Sequence, residues 1–462
     1  MKLEKFVALM LIPLFIPPIS GNDEIISDWA DGYFTGIAKM NNNTLGNVEG
    51  YIWLGRNDFS GNISGIFKGK KEIKFEGFFY KSLILCKPFF GILKRDEKNF
   101  QAFFITLNGF ITVEGGYYAS FLPKPRGNYS IGVREIHLVD YEREEKLTEI
   151  EGDRREMMLY LWYPTEESEG MEYEYMGKET FKWLLKQSYL FWIPENSYEY
   201  VKTHSFLDAK IADGVFPLII FSHGYRGYPS MYTSMIEEIV SHGFVVAGIC
   251  HPHIAGITVF PDGRKIEFTD LSSYNESYRN WWLETAFNEV IGDINYVIDY
   301  LLKEFPENID GENIGIYGHS FGGGAALAMC ADERIKAGLA MDGYFRNSKV
   351  EKPFFMFFVE GRFENDEFLQ GLWENSSIAF TAIVNGSAHY DYTDLPVLLP
   401  HFAPNIPKYI IPGFGRIEGK RIVNIVNKFT LAFFNVYLKG ESIEEIISLS
   451  DEFEEVLFYY KF

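Results

Sequence analysis

The pattern of apolar and polar positions changes near residue 123. Before it, short β-like runs are separated by glycines and show no helical period; they fall at residues 51–54, 63–67, 73–79, 100–107 and 111–113. This pattern predicts a meander of antiparallel strands over residues 28–122, arranged as a small β-sandwich or β-sheet. Because the segment contains no grouping of nucleophile, base and acid, we interpret it as an accessory domain for stability or surface attachment.

After the Pro- and Gly-containing linker at residues 123–127, apolar strands alternate with amphipathic helices. Candidate strands are residues 158–163, 218–222, 244–249, 313–318, 336–341, 354–359 and 378–384. Most are continuous apolar runs, as strands buried on both faces of a parallel sheet require. Apolar helical stripes run over residues 232–240, 287–301 and 422–437. The sequence predicts an α/β domain over residues 127–462, with a mostly parallel sheet and helices on both faces.

Length and charge limit the functions open to the chain. At 462 residues it exceeds what one hydrophobic core usually organises, in line with two domains. Lys and Arg number 43 against 64 for Asp and Glu, a net charge of −21, which argues against nucleic acid and acidic membranes as partners. Any contact with lipid must therefore rest on apolar surface.

The few cysteines and the histidines give no sign of a metal or of a disulfide framework. Cys86, Cys250 and Cys330 are odd in number and far apart. None of the nine histidines stands in an H-E-x-x-H pattern. We predict no metal and no cofactor.

The N-terminus has the pattern of a secretory signal. Lys2 and Lys5 precede an apolar stretch at residues 6–19, which small residues follow. The stretch is shorter than the roughly 20 residues of a membrane-spanning helix. We predict a signal peptide over residues 1–20 and a secreted or extracytoplasmic protein, with an uncleaved anchor as the alternative.

The strongest chemical signal is Gly318-His319-Ser320-Phe321-Gly322, which lies between an apolar strand and a helical run. This is a G-x-S-x-G elbow in the expected context. The flanking glycines allow the sharp turn that exposes the serine hydroxyl. We predict Ser320 as a nucleophile.

Chain order then limits the choice of base and acid, because both follow the nucleophile in this arrangement. Of the two later histidines, His389 follows the strand at residues 378–384 in a loop of small residues, whereas His401 lacks such support. Asp342 directly follows the strand at residues 336–341. Three rival acids follow the next strand, namely Glu360, Glu364 and Asp366. His389 is the predicted base, and the acid stays open at this point.

A second donor to an oxyanion is expected in the loop after an earlier strand. Ser222-His223-Gly224-Tyr225 has this position, and its His-Gly element is like the oxyanion loop of lipases. We predict that the backbone amides of Tyr225 and Phe321 form the oxyanion hole. His223 and His319 are predicted to be structural or to line the pocket.

From residue 127 onward the chain contains a series of ordered motifs. They are Gly127-Asn128-Tyr129-Ser130-Ile131-Gly132, Leu161-Trp162-Tyr163-Pro164, Phe221-Ser222-His223-Gly224, His251-Pro252, Phe260-Pro261-Asp262-Gly263-Arg264, Gly318-His319-Ser320-Phe321-Gly322-Gly323, Met341-Asp342-Gly343 and Thr393-Asp394-Leu395-Pro396. In these motifs the chain resembles the platelet-activating-factor acetylhydrolase-like family of the α/β-hydrolase superfamily. The resemblance implies a triad of Ser320, Asp342 and His389 and an oxyanion hole of Tyr225 and Phe321. It also implies metal-independent hydrolysis of short acyl esters, including the sn-2 acetyl group of certain phospholipids.

The resemblance leaves out the β-rich domain, and Tyr225 stands where many relatives carry a smaller apolar residue. Residues 171–205 are rich in aromatics, with Phe181, Leu184 and Leu185 at helical spacing. They are interpreted as a lid or lipid-contacting element, or as ordinary core. The functional hypothesis is a serine ester hydrolase acting on a small ester or phospholipid through an acyl-enzyme. The alternatives are a serine peptidase on the same fold and a non-catalytic binding protein.

Overall fold

The structure is a computed structural model of the chain. It describes residues 32–462 apart from residues 41–42, 55–59, 71, 81–82, 88, 96–98, 107–108, 120–121, 189–194, 196–197, 199–200, 344–348, 364 and 403–406. The predicted signal peptide therefore lies outside the described residues.

The N-terminal β-rich region is a closed barrel. Its strands are β1 (Gly32–Met40), β2 (Asn43–Leu54), β3 (Ser60–Lys68), β4 (Glu72–Tyr80), β5 (Leu83–Lys87), β6 (Phe89–Arg95), β7 (Asn99–Thr106) and β8 (Gly109–Ala119). Each strand pairs with the next in antiparallel fashion, as the predicted meander requires. The arrangement differs from the predicted sandwich or open sheet because β1 also pairs with β8, which leaves no free edge.

The rest of the chain is built on one eleven-stranded mixed sheet with the order β11-β12-β9-β10-β14-β13-β17-β18-β19-β20-β21. Its strands are β9 (Ser130–Glu144), β10 (Arg154–Thr165), β11 (Glu172–Glu174), β12 (Lys202–Leu207), β13 (Phe216–Ser222), β14 (Val245–Cys250), β17 (Ile309–His319), β18 (Ile335–Met341), β19 (Phe354–Val359), β20 (Ala379–Val384) and β21 (Val456–Lys461). A separate hairpin joins β15 (Ile257–Val259) to β16 (Lys265–Glu267). The six strands from β14 to β20 in this order are parallel, so their carboxyl ends meet at one edge.

Helices cover both faces of this sheet. They are α1 (Gly177–Gln187), α2 (Thr233–Ser241), α3 (Glu276–Glu304), α4 (Phe321–Met329), α5 (Glu367–Asn375), α6 (Leu395–Phe402), α7 (Gly419–Lys439) and α8 (Glu444–Ser448). The three predicted helical stripes lie in α2, α3 and α7. Helix α7 ends at Gly440, whose φ of +74° places it in the left-handed region that favours glycine.

The core forms two layers, one on each face of the sheet. Along β13, Leu218 and Ile220 join the layer that contains α3 and α4, whereas Ile219 and Phe221 join the layer that contains α2 and α7. Alternate residues of one strand are thus buried on opposite faces. This explains why the central strands are continuous apolar runs and confirms the predicted α/β fold class.

The end of the predicted linker at residues 123–127 is fixed to the α/β unit. Arg126 Nε donates to Glu238 Oε1 of α2 at 2.9 Å, and the Gly127 amide donates to Ser241 Oγ at 3.0 Å. Only 3% of the Glu238 side chain is exposed, so Arg126 neutralises a buried carboxylate. The end of this segment is therefore part of the folded α/β unit.

The aromatic-rich segment at residues 171–205 contains β11, α1 and β12. Helix α1 buries Phe181, Trp183 and Leu185 in the core layer that also holds α2. Tyr189, Phe191 and Trp192 lie outside the described residues. None of the described helices combines the length and the apolar character needed to cross a membrane.

Candidate active site

Ser320 occupies a strained turn between β17 and α4. Its φ of 53° and ψ of −115° lie outside the regions that non-glycine residues favour. The turn is tight because a Cβ added at Gly322 would come within 2.1 Å of the Ser222 carbonyl oxygen. The Ser320 amide donates to Met341 O at the end of β18, at 2.9 Å. The serine is held in a partly exposed position at the carboxyl edge of the sheet.

The carboxylate that contacts His389 is Asp342, which directly follows β18. His389 begins a 3₁₀ turn (His389–Tyr392) after β20, and its Nδ1 donates to Asp342 Oδ2. Asp342 is 4% exposed, and burial alone would raise the pKa of its carboxyl. The hydrogen bond from His389 and the charge of Arg362 outweigh burial and hold that pKa below its ordinary value. Asp342 is therefore an anion that accepts a hydrogen bond from the imidazole.

The rival acids have other partners. Glu360 is exposed, and its Oε2 accepts a hydrogen bond from the Gly386 amide at 3.3 Å. Asp366 is the N-cap of α5, where it accepts from the amides of Phe368 and Leu369. Glu364 lies outside the described residues. The structure thus brings Asp342, and neither Glu360 nor Asp366, to His389.

The loop that carries His389 is anchored by Asp391. Its Oδ2 accepts from the amides of Ala388 at 2.8 Å and Gly415 at 2.6 Å, and its Oδ1 binds Lys408 Nζ at 2.5 Å. Asp391 is 1% exposed, so this ion pair is largely shielded from water. The backbone around His389 is therefore fixed by one buried carboxylate that the sequence reading did not single out.

The imidazole of His319 packs against His389 and is hydrogen-bonded to its backbone. Its Nε2 donates to the His389 carbonyl oxygen at 3.0 Å, and its Nδ1 accepts from the Tyr232 hydroxyl at 2.8 Å. Burial, together with the nearby His389, lowers the pKa of His319 to about 3, so the ring is neutral at ordinary pH. The structural role predicted for His319 has this geometric basis. Among the hydrogen bonds of the described residues, none joins the His389 ring to Ser320 Oγ, a contact that often tightens only with substrate.

The loop after β13 lies against Ser320. A Cβ added at Gly224 would lie 3.0 Å from Ser320 Cβ. The next amide, that of Tyr225, and the first amide of α4, that of Phe321, donate no hydrogen bond to another described residue. Both amides thus belong to the two segments that meet at Ser320, and the oxyanion hole stays a prediction.

A second hydrogen-bonded chain lies behind this loop. Ser222 Oγ is 3.1 Å from His251 Nε2, and His251 Nδ1 is 2.9 Å from Asp293 Oδ2. Asp293 is also bound by Arg155 Nη2 at 2.6 Å. These four side chains are fully buried, so substrate cannot reach this Ser, His and Asp set. It supports the loop from below. In the sequence, Ser222 and His251 lie in segments that carry the resemblance, whereas Asp293 and Arg155 carry no such signal.

His223 extends this support. Its Nδ1 bonds to the Gly224 carbonyl oxygen at 2.8 Å, and its Nε2 accepts from the His251 amide at 3.2 Å. Burial, with His251 nearby, lowers the pKa of His223 to about 3. His223 is therefore a neutral residue that links the backbone at Gly224 to the backbone at His251. The backbone of His401, the rejected candidate base, lies in α6.

Within the described ranges, no cluster of three or more His, Cys, Asp or Glu residues is arranged to hold a metal ion. Cys250 and Cys330 are buried free thiols whose pKa burial raises to about 12. Neither is suited to nucleophilic chemistry.

Comparison with known proteins gives consistent relatives. The family described as platelet-activating factor acetylhydrolase, isoform II, matches residues 117–277 and 284–449. A platelet-activating factor acetylhydrolase of Canis lupus familiaris is 25% identical over 361 residues, which cover 69% of this chain and 78% of that protein. A probable 1-alkyl-2-acetylglycerophosphocholine esterase of Arthroderma benhamiae is 33% identical over 128 residues, covering 28% of this chain and 31% of that protein.

A solved structure shares the fold. The ferulic acid esterase of Streptomyces cinnamoneus superposes with a TM-score of 0.63 and 25% sequence identity, covering 72% of this chain and 98% of that one. The resemblance and the α/β-hydrolase fold predicted from the sequence are confirmed by these matches.

Proposed function

Because the chain belongs to the platelet-activating factor acetylhydrolase isoform II family and is an ester hydrolase, we propose that it is a serine esterase with Ser320 as nucleophile. The observation that carries the proposal is the hydrogen bond from His389 Nδ1 to Asp342 Oδ2. With Nδ1 occupied as a donor, the Nε2 atom of the neutral imidazole is left as the acceptor for a serine proton.

The reaction proceeds by acyl transfer. His389 Nε2 takes the Ser320 proton as Oγ attacks the ester carbonyl carbon, and the resulting oxyanion accepts from the amides of Tyr225 and Phe321. Collapse of this intermediate expels the alcohol, which receives the proton from His389. Water then attacks the acyl-enzyme by the same route, which releases the acid and restores Ser320. The chain's own residues supply each proton transfer, and no cofactor takes part.

The proposed substrates are esters of short acyl groups, including the sn-2 acyl group of platelet-activating-factor-like phospholipids. The activities for which the canine and fungal relatives are named support this class. Tyr225 supports a short acyl chain, because this residue of the proposed oxyanion loop carries a bulky ring that is fixed in place. The ring packs edge-on against Trp282 at 5.8 Å and Phe268 at 6.0 Å, and its hydroxyl donates to Thr269 O.

We extend the proposal to location and to lipid contact. The apolar N-terminal stretch supports export and a secreted or extracytoplasmic site of action. For lipid contact through residues 171–205, the buried side chains of α1 favour core packing.

The experiment is a turnover profile with acetyl, butyryl, octanoyl and palmitoyl esters, a platelet-activating-factor phospholipid and peptide amides. We expect acetyl and butyryl esters to turn over fastest and chelators to leave turnover unchanged. Faster cleavage of peptide amides would favour the serine peptidase. Absence of turnover on the whole panel would favour a binding protein.

A further inference from the structure

Arg362 makes three contacts with the turn that carries Asp342. It follows β19, the strand next to β18 in the sheet. Its Nη1 donates to the Asp342 carbonyl oxygen at 3.0 Å and also binds Oδ1 of the same residue, while its Nη2 donates to Gly343 O at 2.6 Å. One guanidinium thus holds two successive carbonyls and a carboxylate.

These contacts matter because Asp342 has an unusual backbone. Its φ of +43° lies in the left-handed region, where a non-glycine residue needs support from its surroundings. The two carboxylate oxygens are divided between two donors: Oδ1 faces Arg362 and Oδ2 faces His389. A rotation of the carboxylate away from His389 would also break the ion pair with Arg362.

We propose that Arg362 is a positioning residue for the pair of Asp342 and His389. The guanidinium of Arg362 fixes the carboxylate against the imidazole, and its positive charge disfavours protonation of that imidazole. The inference rests on the proposed function, since it assigns a role at the same site. Its consequence is that loss of the Arg362 charge would leave the carboxylate next to the imidazole uncompensated and would favour the protonated imidazole.

The other charges around His389 leave this role to Arg362. Asp391 is paired with Lys408 in the same loop, buried His319 is neutral, and the exposed Glu360 is screened by water. Tyr390 packs edge-on against the imidazole, with 5.5 Å between ring centroids, and burial raises the pKa of Tyr392 in the same turn well above its ordinary value. Among the described residues, Asp342 and Arg362 therefore form the charged unit that is hydrogen-bonded to the imidazole.

Two substitutions separate charge from geometry in the pH profiles of kcat and kcat/KM. Arg362→Gln removes both, and we expect the acid limb to move up by about half to one pH unit and kcat to fall about tenfold. Arg362→Lys keeps the charge without the planar fork, so the acid limb should stay near that of the wild type while kcat falls. Arg334→Gln is the matched control, because Arg334 is similarly exposed and binds Asp332 away from the site.

A readout independent of turnover completes the test. The NMR titration of the His389 imidazole, measured in the Ser320→Ala background with and without Arg362→Gln, should show the same upward shift. An unchanged acid limb and an unchanged imidazole titration in Arg362→Gln would overturn the role of the charge. A kcat of Arg362→Lys equal to that of the wild type would overturn the role of the geometry. This test does not require that Arg362→Gln folds. Absence of Ser320-dependent turnover in the wild type would instead contradict the proposed function, while the titration still decides the role of Arg362.

Discussion

The imidazole of His319 lies against the imidazole of His389, with 4.5 Å between ring centroids and 37° between ring planes. His319 is the first of the two variable residues of the G-x-S-x-G elbow, so the residue before the nucleophile also supports the proposed base. Because His319 is buried and neutral, it restricts His389 without adding a charge to it.

Substitution of His319 should lower turnover by releasing His389. In His319→Leu, the Tyr232 hydroxyl and the His389 carbonyl lose their partner, which we expect to destabilise the fold by about 2 kcal/mol and to lower kcat about tenfold. Tyr232→Phe is the matched control, since it removes the hydroxyl but keeps the His319 imidazole against His389. The kcat of this variant should stay within about threefold of the wild type. Equal kcat values for His319→Leu and Tyr232→Phe would contradict the role of the His319 imidazole in positioning His389.

The assignment of the acid predicts a large difference between two carboxylates. Asp342→Asn should lower kcat about 10⁴-fold, because the imidazole loses the partner that fixes its tautomer and orientation. Glu360→Gln should leave kcat within about threefold, because Glu360 contacts a backbone amide instead of the imidazole. Circular dichroism would establish that both variants are folded. A large loss of kcat in Glu360→Gln, together with a kcat near that of the wild type in Asp342→Asn, would reverse the assignment.

Asp394 should make the stability of the fold depend on pH. Burial raises the pKa of Asp394 to about 7, although Ser234 and Tyr175 donate hydrogen bonds to its carboxylate. Since the folded pKa exceeds the unfolded value of about 4, the contribution to stability is complete below about pH 4 and is lost as the pH rises through about 7.

The measurement is urea unfolding of the wild type and Asp394→Asn at pH 5 and at pH 8. We expect Asp394→Asn to gain about 2.5 kcal/mol relative to the wild type between the two conditions, because the amide cannot ionise. Asp213→Asn, at an exposed aspartate, should show no such change. A pH-independent difference between Asp394→Asn and the wild type would show that Asp394 does not titrate in this range.

Truncation within the linker should distinguish two nearby boundaries. A chain that begins at Lys124 keeps Arg126 and should remain folded and active, since the proposed catalytic residues all lie beyond it. A chain that begins at Asn128 leaves the buried Glu238 without Arg126 and should be less stable by about 2 kcal/mol. Chemical unfolding compares the two. Loss of activity in a folded Lys124 fragment would mean that the barrel contributes to the site.

The sequence predicts the central strands well because each is buried on both faces and reads as one apolar run. It misses β9 and β21, whose buried and exposed residues alternate irregularly near the sheet edges. Closure of the barrel also escapes prediction, because the pairing of β1 with β8 joins segments almost 80 residues apart and leaves no local signature.

The candidate site divides in the same way. Ser320 and His389 can be located from the sequence because strand ends and chain order restrict the choice. The contacts of Arg362 cannot be located from the sequence, and neither can the hydrogen bonds that link Ser222, His251 and Asp293. Both depend on which strands and helices lie side by side in the fold. From the sequence, Glu360 and Asp342 both end strands; in the structure, Asp342 alone of these two reaches the imidazole.

The central claim, that Ser320 is the nucleophile of an ester hydrolase, is tested most directly with an organophosphonate probe. Mass spectrometry of the labelled wild type and Ser320→Ala should locate the probe on Ser320, and the same samples should be assayed with an acetyl ester. The account predicts stoichiometric labelling of the wild type, with labelling and hydrolysis both abolished in Ser320→Ala. Labelling or hydrolysis that survives Ser320→Ala would contradict it.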